Sequence, residues 1–247
     1  MSEFFRFPHT PHLTWLGQAE PRDDKVLSPD EAADLLSDDV VLEEKVDGAN
    51  LGFSLSADGE LSAQNRGQYL AEPHAGQFAR LPAWLALHGS AIGEVLLEHA
   101  DQRLMLFGEW CAARHAMDYR RLPDWFLLFD VLEAATGRFW SSNRRDALAA
   151  RLNLSTTPQL ASGRFRLVEL TARLDTWPSR FSDGPLEGIV VRRESALWCE
   201  RRAKLVRADF TQAIGDHWRS RRLDWNRMSP VAGQAAARTP GSCCSAR

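Results

Sequence analysis

The apolar and polar positions of this chain alternate in some stretches and recur every three to four residues in others, and no segment repeats. Alternation predicts strands over residues 40–46, 49–57 and 60–65. The last two are joined by Asp58-Gly59, a turn pair whose glycine takes the positive φ that a tight hairpin needs. Helical spacing predicts helices over 75–86 and 91–100. Strands follow over 103–111 and 125–132, then a helix over 143–152 whose N-cap is Ser141 or Ser142. Residues 186–193 and 197–207 read as a strand pair, and 210–228 as a closing amphipathic helix. Without a long linker before residue 229, residues 1–228 are expected to form one domain. Residues 229–247 are mostly Ala, Gly, Ser, Pro and Arg with little to bury, which predicts a disordered tail.

Composition narrows the class. At 247 residues, 44% hydrophobic and 26% charged, the chain is long enough to bury a sizeable core. No apolar run approaches the roughly 18 residues that span a bilayer, and the first residues lack the basic-then-apolar order of a secretory signal. The expected location is therefore the cytoplasm, without membrane contact. Cys111 and Cys199 are far apart and Cys243 and Cys244 are adjacent, which fits neither a disulfide framework nor a zinc pattern. A net charge of -3 gives no global pull toward polyanions, so contact with nucleic acid would rest on local arginines. The paired arginines at 120-121, 144-145, 192-193, 201-202 and 221-222 read as solvated faces, some of them available to RNA phosphates. Pro8 and Pro11 break any helix that would bring His9 and His12 together as metal ligands.

Only three cationic residues are lysines: Lys25, Lys45 and Lys204. Arginine stays protonated at any physiological pH and cannot act as a nucleophile, whereas a lysine can lose its proton where its surroundings disfavour charge. Lys45 lies in Glu43-Glu44-Lys45-Val46-Asp47-Gly48. In an extended strand, alternation puts Glu43, Lys45 and Asp47 on one face, and Gly48 permits a sharp turn or a close backbone approach. An amine beside carboxylates suits attack on phosphorus; taken alone, the same run also reads as a surface strand ending in an Asp-Gly turn. A free lysine is neutral about once in two thousand at neutral pH, so its pKa must be lowered. Arg66, Lys204 and a bound divalent cation would lower it while Asp47 and Glu43 oppose them, which makes nucleophilic Lys45 metal-dependent.

Further segments come in order: Gln64-Asn65-Arg66-Gly67, Phe107-Gly108-Glu109-Trp110, Phe126-Leu127-Leu128-Phe129-Asp130-Val131, Leu186-Glu187-Gly188-Ile189-Val190-Val191 and Arg202-Ala203-Lys204-Leu205-Val206. With Lys45-Val46-Asp47-Gly48, this series resembles the covalent nucleotidyltransferases, the superfamily of ATP-dependent DNA and RNA ligases and mRNA capping enzymes, and most closely RNA ligases of the phage RNA-ligase-2 type. The resemblance covers roughly residues 38–210 and implies an α+β fold: two antiparallel sheets flanked by helices, with a nucleotide cleft between them. It implies an ATP-dependent RNA ligase that joins 5′-phosphate and 3′-hydroxyl ends, with RNA ends as its partners.

The same resemblance implies the roles. Lys45 attacks the α-phosphorus of ATP, expels pyrophosphate and holds AMP as a phosphoramidate. Lys204 contacts the α-phosphate as the second catalytic residue. Glu44, Asp47, Gly48, Arg66, Glu109, Phe129, Glu187 and Arg202 surround the nucleotide, with Arg66 on phosphate or ribose, Glu109 on the ribose hydroxyls and Phe129 stacked on adenine. Glu187 and Glu109 hold the metal, Mg²⁺ or alternatively Mn²⁺. Read singly, Phe129 is equally a core aromatic and Arg66 a turn arginine. The last motif usually carries two lysines one residue apart, and here only Lys204 is present. Either Arg202 takes the first place, or Lys204 does, with Val206 in the second and Arg207 substituting. Little comes after Lys204 where related enzymes append a domain, so the chain is expected to be a minimal catalytic domain that works with a partner protein or on nicked duplexes. A DNA ligase, a GTP-using capping-type enzyme and a catalytically silent RNA-end-binding subunit share enough of the pattern to stand as alternatives.

Overall fold

A computed structural model describes residues 4–18, 25–212 and 223–229. Its strands and helices run in the order α1 (Pro29–Leu35), β1 (Val40–Lys45), β2 (Ala49–Leu55), β3 (Leu61–Gln64), α2 (Leu81–Glu98), β4 (Leu104–Trp110), β5 (Phe126–Glu133), β6 (Arg138–Phe139), α3 (Ser142–Leu152), β7 (Ser155–Thr156), β8 (Gln159–Gly163), α4 (Leu167–Leu174), β9 (Gly188–Glu194), β10 (Cys199–Val206) and α5 (Ala208–Gln212). The architecture is α+β. One antiparallel sheet has the order β10-β9-β1-β8, and the other the order β3-β2-β4-β5-β6. β7 joins the second sheet at β5 as a short parallel pair.

The chain crosses from one sheet to the other between β1 and β2. Lys45 is the last residue of β1, paired with Gly188 at the start of β9, and Ala49 opens β2 opposite Trp110 of β4. Val46-Asp47-Gly48 makes the crossing, so Asp47 lies beyond the strand face that Glu43 and Lys45 share. Each sheet has its own apolar support. Leu51, Phe53, Leu106 and Leu128 pack beneath α2 and α3, which contribute Trp84, Ile92, Val95 and Leu148. Leu42, Ile189, Val191 and Leu205 of the other sheet pack with Leu35 of α1 and Leu170 of α4. The N-terminal arm touches both sheets. Phe7 packs on Phe107 with ring centres 4.9 Å apart, and Lys204 of β10 donates its N–H to Pro11 O while accepting from the Leu13 N–H.

The β2–β3 hairpin forms through Asp58-Gly59 as expected, with Gly59 at φ +78°. The two helices expected over 75–86 and 91–100 are one helix, α2, preceded by a single 3₁₀ turn at Gly76–Phe78. Pro82 explains the start: it is tolerated in a first turn and breaks an interior. Gly89 and Gly93 each weaken a helix by about 1 kcal/mol relative to Ala, which packing against the second sheet overrides. Ser141 is the N-cap of α3, but its hydroxyl donates to Ala196 O. The cap comes from Glu194, whose carboxylate accepts from the Ser142 N–H at 3.0 Å. The closing helix expected over 210–228 does not reach residue 228. α5 covers Ala208–Gln212, residues 213–222 lie outside the described residues, and 223–229 run extended, with Trp225 bridged to Ala113 and Met228 to Leu122. The expected tail lies outside the described residues except for Ser229, and so do Cys243 and Cys244. Cys111 and Cys199 are free thiols. No helix among the described residues is long and apolar enough to cross a membrane.

Candidate active site

A cleft of about 660 Å³ opens between the two sheets, with Lys45 on its wall. Lys45 Nζ lies 2.6 Å from Glu187 Oε1. Burial disfavours the ammonium, but the carboxylates of Glu187, Asp47 and Glu109 outweigh it and hold the pKa of Lys45 above its ordinary value. In this arrangement Lys45 is a cation. Glu43, the carboxylate expected to oppose its deprotonation from within β1, lines the cleft but is engaged by arginines: Oε1 lies 2.7 Å from Nη2 of buried Arg145, and Oε2 lies 3.8 Å from Arg192.

Asp47 is fixed by the loop of residues 111–122. Its carboxylate accepts from the N–H groups of Ala116 and Met117 at 2.7 and 2.9 Å, and its own N–H donates to the Tyr119 hydroxyl at 2.8 Å. Gly48 donates its N–H to Glu109 Oε1 at 3.0 Å. A Cβ there would lie 2.6 Å from the Trp110 carbonyl oxygen, so the residue type is set by close approach to β4.

Glu109 and Glu187 face the same charges. Burial is the main force on each; Asp47 adds to it, while Lys45 opposes it, and Glu109 is pushed up to about 8. Glu187 Oε2 is buried with no hydrogen-bond partner. Two carboxylates short of positive charge, one with an orphaned oxygen, suit a hard divalent cation. Among the described residues no group of three His, Cys, Asp or Glu side chains could hold one, so phosphate and water oxygens would have to complete its shell.

The remaining cleft residues come from both sheets. Arg66 comes just after β3 and lines the cleft, its Nε buried and without a hydrogen-bond partner. Phe129 lines it as well. The β4–β5 register shifts between Phe107 and Gly108, which pair with Asp130 and Leu128, so Phe129 is the extra residue of a β-bulge. A bulge turns a side chain out of its regular alternation. Its carbonyl accepts from Arg145 Nη1 at 2.8 Å. Arg202 and Lys204 reach the cleft from one face of β10, which leaves Arg202 as the cation beside Lys204. Arg207 points away, to Asp209 at 2.6 Å. The Arg202 guanidinium is already engaged, 2.5 Å from Asp130 Oδ2 and 4.1 Å from the centre of the Phe139 ring. Glu44 borders the cleft, yet its carboxylate is turned to the opposite side of β1, where it accepts from Ser179 Oγ at 2.6 Å and the Arg180 N–H at 2.9 Å.

Two of the arginine pairs expected on solvated faces are split between inside and outside. Arg192 is 1% exposed and bridges the sheets, with Nη1 2.8 Å from Asp130 Oδ1 and Nη2 donating to Trp140 O, while Arg193 turns outward to Asp34. Arg145 is equally buried and Arg144 stacks on Trp140. Alternation along a strand or helix makes this possible, since adjacent residues face different sides. Sequence reasoning also missed His115, Gln77, Thr157 and Val190 in the cleft. His115 Nε2 lies 2.9 Å from Gln77 Oε1, and its Nδ1 lies 3.9 Å from Asp47 Oδ1. Burial lowers its pKa, with Lys45 adding to the effect and Asp47 opposing it. Only Val190 carried a signal, two residues after Gly188 on the same strand face.

A family model described as RNA ligase matches residues 38–206. Among solved structures, the chain is similar to the Naegleria gruberi RNA ligase with PPi, at 19% identity and a TM-score of 0.55 over 72% of this chain and 52% of that one. A lysine-to-alanine mutant of the same ligase with ATP and Mn gives 19% identity and a TM-score of 0.57 over the same shares. A lysine-to-methionine mutant with AMP and Mn gives the same values. This chain spans about half the length of those proteins. No curated protein matches it.

Proposed function

This chain belongs to the RNA ligase family, and we propose that it is an ATP-dependent RNA ligase working through a lysyl-AMP intermediate on Lys45. The observation that carries the proposal is the placement of the Lys45 amine in the inter-sheet cleft, beside Glu187 and at the point where the chain crosses between sheets. A buried amine at a strand end, with carboxylates around it and Arg66 and Lys204 lining the same space, is arranged for attack on a polyphosphate rather than for fold stability.

In the first step the neutral Lys45 amine attacks the α-phosphorus of ATP. A P–N bond forms, the α–β P–O bond breaks, pyrophosphate leaves and the amine gives up a proton. An oxygen of the RNA 5′-phosphate then attacks the same phosphorus; the P–N bond breaks and Lys45 takes back a proton. Finally a 3′-hydroxyl attacks the activated 5′-phosphate, a phosphodiester forms and AMP departs. Lys204 and Arg66 offset negative charge at the phosphates, Glu109 holds the ribose hydroxyls and Phe129 stacks on the base. A divalent cation, Mg²⁺ or Mn²⁺, would be held by Glu187 and Glu109 and would neutralise phosphate charge and the carboxylates that keep Lys45 protonated. The presence of ATP and Mn with the Naegleria gruberi enzyme supports this choice of cofactors. Residues 1–228 are proposed as the catalytic unit.

The test is incubation with α-labelled ATP or GTP and Mg²⁺, then denaturing electrophoresis, for wild type and Lys45→Ala. Label on wild type from ATP and none on Lys45→Ala is the expected result. Label from GTP instead would make the enzyme a capping-type guanylyltransferase, and no label from either would leave a nucleotide- or RNA-binding subunit.

A further inference from the structure

Residues 223–229 form an extended strap along the loop 111–122. Backbone bonds join the two: the Arg114 N–H donates to Asp224 O at 2.8 Å, the Asn226 N–H to Ala112 O at 3.0 Å, the Arg227 N–H to Tyr119 O at 2.9 Å and the Ser229 N–H to Leu122 O at 2.8 Å. Asn226 is buried in the middle, 3% exposed. Its Oδ1 accepts from the Tyr119 N–H at 3.0 Å, and its Nδ2 donates to Cys111 O at 2.9 Å and Ala113 O at 3.2 Å. Beside it, the Arg80 guanidinium lies over both the Trp125 and Trp225 rings, 4.8 and 4.2 Å from their centres, which ties the strap to the start of α2 and to the residue before β5.

The other side of this loop holds Asp47. Ala116, Met117 and Tyr119 make its hydrogen bonds; of these Asn226 holds Tyr119 directly, and it holds Cys111 and Ala113 where the same loop begins. A buried amide that satisfies several backbone groups leaves the loop one conformation, because any shift strands a donor or acceptor away from water. Asp47 in turn sets the backbone two residues beyond Lys45. Resting on the ligase reading above, we propose that Asn226 is a positioning residue for the first step: it fixes the loop 111–122, the loop fixes Asp47, and Asp47 fixes the direction from which the Lys45 amine meets the α-phosphorus.

The test measures single-turnover lysyl-AMP formation with ATP and Mg²⁺ on the full chain. Asn226→Ala is expected to slow the step by about tenfold or more, because small misplacements of reacting groups cost that much, while the KM for ATP stays within about threefold. In an Asp47→Ala background the same substitution is expected to cost less than about threefold, since the link it acts through is already cut. Leu170→Ala, in the core beneath the first sheet, controls for stability: it should lower the melting temperature and leave the rate alone. If Asn226→Ala does not fold, Trp225→Ala, which loosens the strap without removing the asparagine, carries the same comparison. An unchanged rate, or equal losses with and without Asp47, would overturn the proposal. An unlabelled wild type would overturn the ligase reading, and the proposal with it.

Discussion

Glu109 is where the chemistry of the site meets its cost. Burial raises its pKa to about 8 from an ordinary 4.5, so the folded protein keeps a proton there that the unfolded chain has released. That contribution is complete below about pH 4.5 and is lost as pH rises through about 8. The melting temperature of the nucleotide-free protein is therefore expected to fall over that window more steeply for wild type than for Glu109→Gln, whose amide does not titrate; equal slopes would contradict this. Lys45→Arg separates folding from chemistry in a similar way. A guanidinium keeps a cation opposite Glu187 but cannot attack, so adenylylation should vanish while the melting temperature shifts by only a few degrees, roughly a 1 kcal/mol effect. At this scale the sequence was most legible. Lys45, Glu109 and Glu187 stand next to strand ends in recognisable motifs; Lys45 and Glu109 line the cleft, and Glu187 lies against the Lys45 amine. His115 and Thr157 carry no periodicity, because they lie in irregular segments; Gln77 sits in a 3₁₀ turn where helical spacing marks the apolar face and not a polar cleft residue; and Arg192 was hidden by a neighbour that does face solvent.

Among the elements, β5 shows how a strand serves both core and site. Phe126, Leu128 and Val131 are buried beneath the helices, while the bulge presents Phe129 to the cleft. The bulge depends on Gly108, where a Cβ would lie 2.4 Å from the Phe126 ring and 2.6 Å from the Leu127 carbonyl oxygen. Phe129→Ala is expected to raise the KM for ATP by about fivefold or more, with kcat changed far less, because base stacking on an aromatic ring contributes about 1–3 kcal/mol. A fall in kcat with KM unchanged would place Phe129 in the core alone. The strands around the motifs were readable from alternation. β8 and α4 were not: Gln159–Gly163 has little β-branched or aromatic content, and an eight-residue helix spans barely two turns of any period. Pro82 was a visible signal that the helix over 75–86 had to start later.

Across the whole molecule, the two sheets are joined by buried charge as well as by chain crossing. Asp130 of the second sheet lies between Arg192 and Arg202 of the first, at 2.8 and 2.5 Å. Asp130→Ala would leave Arg202 without its counter-ion and fully buried Arg192 with only Glu194 at 2.6 Å and Glu43 at 3.8 Å, and is expected to cost about 3–5 kcal/mol in urea unfolding. The exposed Arg201–Asp34 pair should cost no more than about 1 kcal/mol. Comparable costs would mean that Asp130 is not the tie described. The two-sheet architecture itself came from the resemblance rather than from periodicity, which predicts strands but not how they divide between sheets. Under the proposed function, Lys45 carries the nucleotide. The most direct test is peptide mass mapping after incubation with ATP and Mg²⁺: an adenylyl group on the peptide containing Lys45, discharged by added pyrophosphate, is the expected result. AMP on Lys25 or Lys204, or no adenylylated peptide, would contradict this role for Lys45.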